Sequence, residues 1–556
     1  MPDADVIVIG SGAGGMTAAV ACALAGKKVL VLEQHDRPGG WCHSFPLGGY
    51  EFSPGVHYLG DLDNGGFGQR IIEGLGLAPH LTFLELNPDG YDHVRIGADF
   101  RFDIPKGFDN YLRRMQERFP ADAEGIATVL NVYRALGREL KAIGGPSRRV
   151  LGSRRLGGLA KVASLPAKAP NLLRWGHRPL SKLLERYVRD PYARAVLSIQ
   201  VGDHGLAPSR APTVLHGAIA SHYFDGGWYP KGGAKAIPRA YLRQLKAHGG
   251  EIRLQADVHR IRTHQGKVVG VELTDGTSLD APVVISNADP HLTYTRMLDP
   301  DTLPAKLRRK LARTRYSISN VSLFAAVDLD LPAMGFDSGN IWWHDHTDID
   351  VSYERARAGR EGPIEGGFLT VTSLKDPTKR HGNIHTVEVF HLTGTDSWKN
   401  VPGGPGERPQ AYEDRKQRLL DEMIDATEKI MPGLRDNLVF RELGTPATNK
   451  FYVKSSDGNM YGTEKTMDQL GPFAFKTRSP VDGLFLCGSS TLSHGVFGAA
   501  QSGLVAAAQA TKVKTDELLS HSAGPVKLLP ADDLSAWPAS ERRRIERKAA
   551  KAAVAK

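Results

Sequence analysis

Gly10, Gly12 and Gly15 stand in G-x-G-x-x-G spacing directly behind the short apolar run Val6 to Ile9, with Ala13 and Gly14 inside the turn. Glycines so spaced allow a tight turn, a close approach of backbone to a pyrophosphate, and close packing of helix on strand. The phosphates would sit at a helix N-terminus, where free N–H groups and the helix dipole favour negative charge. A second apolar run, Lys28 to Leu32, ends in Glu33, an acid placed to bond a ribose hydroxyl, with Gln34 beside it. Arg37, Gly39 and Gly40 follow as R-x-G-G, and the paired glycines let the backbone pass close to a bound dinucleotide. The chemistry these residues predict is dinucleotide binding.

The elements that must position them follow from the same stretch. Val6 to Ile9 reads as a strand buried on both faces, Met16 to Leu24 as a helix, and Lys28 to Leu32 as a second buried strand. That is a βαβ unit. The chain has 556 residues, too many for one core, so two or more lobes are expected.

Two later stretches carry a family resemblance together with the first. Gly226 to Gly233, GGWYPKGG, leads into a helix over Ala234 to Ala247 and then a β-meander across Glu251 to Ser286, ending in Asn287-Ala-Asp-Pro290. Gly483 to Ala510 reads as a buried strand (Leu484 to Cys487), a Gly-rich turn (Gly488 to Gly498) and a small-residue helix. With LEQHDRPGGWCHSF and GVHYLG near the N-terminus, these segments resemble the flavoprotein superfamily of amine oxidases and phytoene desaturases. More narrowly, they resemble its branch of carotenoid desaturases, carotenoid isomerases and retinol saturases. The resemblance implies FAD as the dinucleotide, Val258 as a valine reaching the adenine, and a return of the Gly488 turn to the cofactor. Many relatives have an Asp two positions after the glycine matching Gly488; here Ser489 and Ser490 stand there as weaker ribityl ligands. A helix N-terminus aimed at the flavin would stabilise negative charge on reduction.

The expected fold class is α/β: a discontinuous Rossmann-type FAD-binding domain (1–65, 215–300 and 471–515) with an α+β substrate-binding lobe (66–214 and 301–470). A basic tail, 516–556, is expected to be disordered or a short surface helix. Within these lobes Tyr111 to Phe119, Ala123 to Ile143, Leu183 to Ile199, Thr213 to Tyr223 and Ala411 to Ile430 have helical spacing, and Ser317 to Leu331 reads as strands.

The net charge of +10 is uneven. Residues 145–184 hold nine Lys or Arg and no acid, and residues 541–556 hold seven against two Glu. Two local basic segments on an otherwise acidic body point to a surface that meets something anionic; residues 145–184 read either as a solvated loop or as a docking surface for anionic membrane, with Leu172, Leu173 and Trp175 at the acyl boundary, and the resemblance favours the second. Neither segment lies in a nucleic-acid reader motif, so no nucleic-acid partner is expected. No signal peptide or membrane-spanning run is visible, and three widely spaced cysteines (Cys22, Cys42 and Cys487) suit a reducing compartment. A cytoplasmic protein, peripheral on the membrane, is the expected location. His344 and His346 in WWHDHTD read as a polar edge, and no metal site is expected.

The resemblance implies an FAD-dependent oxidoreductase acting on carbon–carbon bonds of a long apolar lipid such as a carotenoid, retinoid or unsaturated fatty-acyl chain. Desaturation, saturation and isomerisation stay open, as does the electron donor or acceptor. His57 and Tyr58, then His494, are the acid–base candidates, since a histidine exchanges a proton near neutral pH. A flavin amine-oxidase-like enzyme and a non-catalytic FAD- or lipid-binding protein are the alternatives.

Overall fold

The computed structural model describes residues 2–144, 165–299, 301, 303–360, 362–380, 382–402 and 404–554. Five parallel strands form one sheet in the order Leu484–Leu486, Val283–Ser286, Val6–Ile9, Val29–Leu32, Glu251–Arg253. Val6–Ile9 lies at its centre, with Val6 paired to both Val283 and Val29. An uninterrupted apolar run suits this place because both faces are covered. Val6 and Val8 point into a core shared with helix Ala13–Leu24 and with Leu504 of helix Gly495–Thr511. Ile7 and Ile9 point into the opposite core, against Val258, Ile261 and Val271. Those three belong to an antiparallel three-stranded meander of Val258–His264, Lys267–Leu273 and Ser278–Asp280.

The two helices on the sheet cross closely because glycines face each other. A Cβ on Gly503 would run into the Gly14 carbonyl oxygen, and one on Gly14 would come within 3.0 Å of the Ala499 carbonyl. The chain is an α/β protein with a Rossmann-type parallel sheet.

A seven-stranded mixed sheet makes up the second layer. Its order is Leu438–Gly444, Ser319–Asp328, Ile384–Thr393, Gly366–Val371, Asn340–His344, Asp92–Ile96, Phe100–Ile104. The parallel pair Asp92↔Asn340 stitches the early strands to the later ones. This pairing places Asp92 beside Asn340 in the core, which matters for the site below.

Several elements differ from the sequence-based expectation. Leu183 to Ile199 is two helices, Leu180–Tyr187 and Pro191–Ser198. Pro191 cannot donate to a preceding turn, and the Asp190 side chain caps the second helix by accepting from Tyr192 and Ala193 N–H. Ser317 to Leu331 holds one ten-residue strand, Ser319–Asp328. The 516–556 segment is not a loose tail: Lys527–Pro530 pairs in parallel with Thr82–Glu85, and Trp537 is buried with Leu84. Its apolar Leu528, Leu529 and Trp537 carry that packing, and helix Ala539–Val554 holds the basic residues.

Of the basic segment 145–184, residues 145–164 lie outside the described residues. Trp175, expected at a membrane boundary, is 2% exposed, with its ring edge-on to Tyr187 and cationic Arg174 and Arg178 over it. Leu173 alone of the three named residues is well exposed. No helix among the described residues is long and apolar enough to cross a membrane.

Candidate functional site

One cavity of about 2220 Å³ runs from the parallel sheet into the wall of the seven-stranded sheet. Ligand pockets usually measure about 300–1,000 Å³, so this one has room for a dinucleotide and a second molecule together.

At the sheet end, the glycine turn forms a cradle. Gly10 has φ +85°, and its N–H donates to the Leu32 carbonyl at 2.8 Å. A Cβ on Gly12 would lie 2.8 Å from Asn287 Nδ2, and one on Gly14 2.6 Å from Asn287 Oδ1 and 2.8 Å from the Gly488 nitrogen. Gly15 sits beneath the Gly10 carbonyl, and Gly39, packed on Pro238 and His43, donates its N–H to Ser11 Oγ at 2.9 Å. Neither of these two lines the cavity; Gly10, Gly12, Ala13, Gly14, Gln34, Arg37 and Gly40 do. Helix Ala13–Leu24 starts at Gly12 with no side-chain cap, so its first N–H groups stay free for an anion.

Glu33 is 7% exposed and lines the same end. Its Oε2 accepts from Ser11 N–H (2.8 Å) and Ser11 Oγ–H (2.6 Å), and its Oε1 from His35 N–H (2.9 Å). Those donors fix the carboxylate without using all its lone pairs. Val258 lines the cavity nearby with Ala256 and Asp257. These features fit FAD: a cradle that any side chain would fill, an uncapped helix end, and a pinned acid ending the second strand.

The third strand–turn–helix closes the same end. Gly488 (φ +96°) donates its N–H to Ser502 Oγ at 2.7 Å. Ser489 and Ser490 line the cavity but are tied back: the Ser489 carbonyl accepts from Lys465 Nζ at 2.5 Å, and Ser490 Oγ from Thr463 N–H at 3.1 Å. Gly498 lies in the first turn of helix Gly495–Thr511, packed on Ser493, rather than in the preceding turn. That helix begins behind His494 with no side-chain cap, and its start also faces the cavity.

The acid–base candidates meet in the middle of the cavity. His57 Nδ1 lies 3.1 Å from Glu388 Oε2, and its ring centroid is 4.4 Å from that of Phe390. Burial lowers the His57 pKa; Glu388 opposes that shift and Lys375 adds to it. His494 is pushed down to about 3 by burial and by Lys465, and its Nε2 donates to the Asp203 carbonyl at 3.0 Å. Both imidazoles are neutral at pH 7. Tyr58 stacks on Tyr223 with centroids 4.4 Å apart. The Tyr58 hydroxyl faces two carboxylates, Asp203 Oδ2 at 3.0 Å and Asp92 Oδ2 at 3.3 Å.

Sequence reasoning missed the partners of these groups. Lys375, fully buried, donates to the His57 carbonyl at 2.6 Å and to Asn340 Oδ1. Glu388, also fully buried, accepts from Ser53 N–H at 2.8 Å. Asn287 was readable as part of Asn287-Ala-Asp-Pro290, but its wedge between Gly12, Gly14 and Gly488 was not. No local spacing announces Asp92, Asp203, Lys375 or Glu388. Lys231 of GGWYPKGG is outside the cavity; it pairs with Glu541 and lies over the Trp537 ring. His344 is buried and pushed down to about 3, and no group of three or more metal-binding side chains occurs among the described residues.

The far walls are aromatic: Tyr223, Trp342, Tyr353, Phe368, Phe390 and Tyr461. These rings come from segments distant in sequence.

Comparison with known proteins agrees with this geometry. The chain is 29% identical over 528 residues to all-trans-retinol 13,14-reductase of Danio rerio, covering 89% of this chain and 84% of that protein. It is 25% identical over 516 residues to the chloroplastic prolycopene isomerase of Daucus carota, covering 90% and 79%. Among solved structures, an oxidoreductase from Methanosarcina mazei shares the fold with TM-score 0.60 at 17% identity, covering 90% of this chain and 99% of that one. The model of the flavin-containing amine oxidoreductase family matches residues 13–511. The chain belongs to that family and is an FAD-dependent oxidoreductase.

Proposed function

We propose that this chain reduces carbon–carbon double bonds of a long, apolar, conjugated lipid of the retinoid or carotenoid class. The observation that carries this assignment is the single cavity, with a dinucleotide cradle at one end and aromatic walls at the other. Similarity to a retinol reductase and a prolycopene isomerase supports the substrate class. Bound FAD, once reduced by an external donor, supplies the hydride.

The protein's own residues hold, orient and exclude water. Gly12, Gly14 and the start of helix Ala13–Leu24 would hold the pyrophosphate, Glu33 a ribose hydroxyl, and Val258 the adenine side. The uncapped start of helix Gly495–Thr511 favours negative charge at the flavin. Tyr223, Phe368 and Phe390 would stack along a polyene and fix which bond faces the cofactor. These roles agree with a discontinuous FAD domain over 1–65, 215–300 and 471–515, with 66–214 and 301–470 enclosing the lipid.

His57 is a neutral wall residue at pH 7, so it acts by position rather than as the proton source. His57→Gln keeps its FAD and loses less than about tenfold in polyene turnover; a loss beyond about 10²-fold would instead give it acid–base work. The measurement is flavin absorbance alongside product formation.

An oxidised amine is the competing substrate class. An ammonium is held by an ionised carboxylate or by aromatic faces, and the cavity carboxyl of Asp203, beside Tyr58, is pushed up to about 8, chiefly by burial and next by Asp92. It is neutral at pH 7 and does not pair with an ammonium. Flavin reduction by a primary amine, with no change in any polyene, would reverse the assignment.

We also propose that the cavity mouth docks on an anionic, cytoplasm-facing membrane that delivers the lipid. Leu140, Met467 and Leu492 line the cavity and are each 36–40% exposed. Lys141 and Leu172, the described residues lining the cavity on either side of the basic segment 145–164, lie at this mouth. Binding to phosphatidylglycerol vesicles is expected to weaken with salt; equal partition onto pure phosphatidylcholine vesicles would contradict it.

A further inference from the structure

Three groups crowd one point in the cavity wall. Tyr58 has one hydroxyl hydrogen, yet two carboxyl oxygens lie within bonding distance of it. Asp92 is otherwise satisfied: Asn340 Nδ2 donates to Oδ1 at 2.9 Å and Gln200 Nε2 to Oδ2 at 3.0 Å. Asp203 has no such support. Among the described residues, Tyr58 is the only hydrogen-bond partner of its side chain. Two carboxylates this close cannot both ionise at little cost, and the one with fewer donors keeps the proton.

Asp203 also differs in access. Asp92 is fully buried beneath the wall, whereas Asp203 is part-exposed and lines the cavity. It ends the short helical turn Ile199–Asp203, and its carbonyl is held by His494.

We propose that Asp203 is a further catalytic residue, the proton donor of this cavity, with Tyr58 and Asp92 as its positioning residues. The inference rests on the reductase assignment above and names the atom that assignment lacks. Reduction of a C=C bond adds one proton and one hydride. The proton leaves the Asp203 carboxyl, whose O–H electron pair remains on oxygen as the carboxylate. The π pair of the alkene forms the new C–H bond, and the neighbouring carbon takes the hydride that reduced FAD supplies. Asp203 is then reprotonated from solvent entering with the next substrate.

The surroundings keep that proton in place near neutral pH. Asp92, Tyr91, Tyr223, Tyr353 and Tyr461 lie within electrostatic reach of Asp203, and His494 Nε2 holds its carbonyl. Their tyrosines are all held well above the usual phenol range and His494 far below the usual imidazole range, so they stay neutral. His204, next along the chain, is likewise held neutral by burial. Lys375, behind Asp92, is pushed down to about 7 by burial.

The test is an infrared titration of the FAD-loaded protein. A protonated-carboxyl band is expected at pH 7 and is lost as pH rises through about 8. It is absent at that pH in Asp203→Asn. In Tyr58→Phe it remains with its midpoint raised, because the phenol bond that favours the carboxylate is gone. If Asp203→Asn loses FAD, Tyr58→Phe alone decides: an unmoved midpoint overturns the proposal. No band at pH 7, or one that survives Asp203→Asn, overturns it as well. In deuterated buffer, all-trans-retinol reduced by wild-type protein gains solvent deuterium across the reduced bond, at a rate that Asp203→Asn cuts by at least about 10²-fold. An equal rate in the variant refutes proton delivery. Wild-type protein that never reduces all-trans-retinol contradicts the substrate class, while the infrared result is read without any lipid.

Discussion

Gly14→Val is expected to purify without flavin, with FAD affinity lowered by at least about 10³-fold, or roughly 4 kcal/mol. The cause is steric. Even a first carbon at this position would lie 2.6 Å from Asn287 Oδ1 and 2.8 Å from the Gly488 nitrogen. The two branches of valine then push Asn287 and the Gly488 turn away from the cradle together. Gly14 also lets helix Gly495–Thr511 approach, so a second uncapped helix start shifts with the first. Visible absorbance and the rise of melting temperature on adding FAD report the outcome. Gly26→Ala is the control: Gly26 has nothing within 4 Å of such a carbon but has φ +75°, so it costs some stability and leaves flavin in place.

Glu388→Leu is expected to lower folding stability by about 3–5 kcal/mol at pH 7, the range for removing one partner of a buried charge cluster. The side chain is fully buried, accepts from Ser53 N–H, lies 3.1 Å from His57 Nδ1, and favours the charged form of Lys375 and Lys379. Leucine leaves the Ser53 donor unpaired and removes one of the carboxylates that favour the charged lysines. The pH dependence follows from the Lys375 shift. Its folded pKa, about 7, lies below the ordinary lysine value of 10.5. The unfolded chain therefore binds more protons in that window, and this group's contribution to stability rises with pH between the two values. Losing Glu388 lowers the folded pKa further, so this part of the Glu388→Leu deficit is largest below the lowered value and closes as pH rises through about 7. Urea melts at pH 6 and pH 10 check this; an equal deficit at both would assign the loss to the Ser53 hydrogen bond alone.

The parallel sheet was legible because its information is local. Val6 to Ile9 is apolar at consecutive positions, which only a strand covered on both faces can use, and Gly10 to Gly15 follow at the spacing a βα turn needs. The meander was legible in part from its short strands and the Thr274-Asp-Gly276 turn: Val258 to Asp280 forms it, but the first and last runs of Glu251 to Ser286 join the parallel sheet. The reactive centre was not. Tyr58, Asp92 and Asp203 meet only because Asp92 pairs across the second sheet with Asn340 and a short turn at Ile199–Asp203 lies over it. Tyr58 was readable as a candidate beside His57, but Asp92 and Asp203 are ordinary polar residues in sequence, and burial changes their chemistry. The same holds for Lys375, at the end of the short helix Thr372–Lys375, and for Glu388, on strand Ile384–Thr393: neither is marked in sequence as buried. The membrane expectation placed Trp175 outside because its neighbours are basic; those arginines instead lie over a buried ring. The C-terminal segment was misread for a related reason: its abundant charge hid Leu528, Leu529 and Trp537, which bind it to the strand Thr82–Glu85.

Anaerobic single turnover tests the central claim most directly. FAD-loaded protein, reduced with dithionite and mixed with all-trans-retinol, is predicted to oxidise its flavin and return a lipid heavier by two hydrogens, read by mass spectrometry. A lipid of unchanged mass, with flavin that stays reduced, would contradict the account. Oxidised flavin reduced by a primary amine in the parallel reaction would contradict it in favour of amine oxidation.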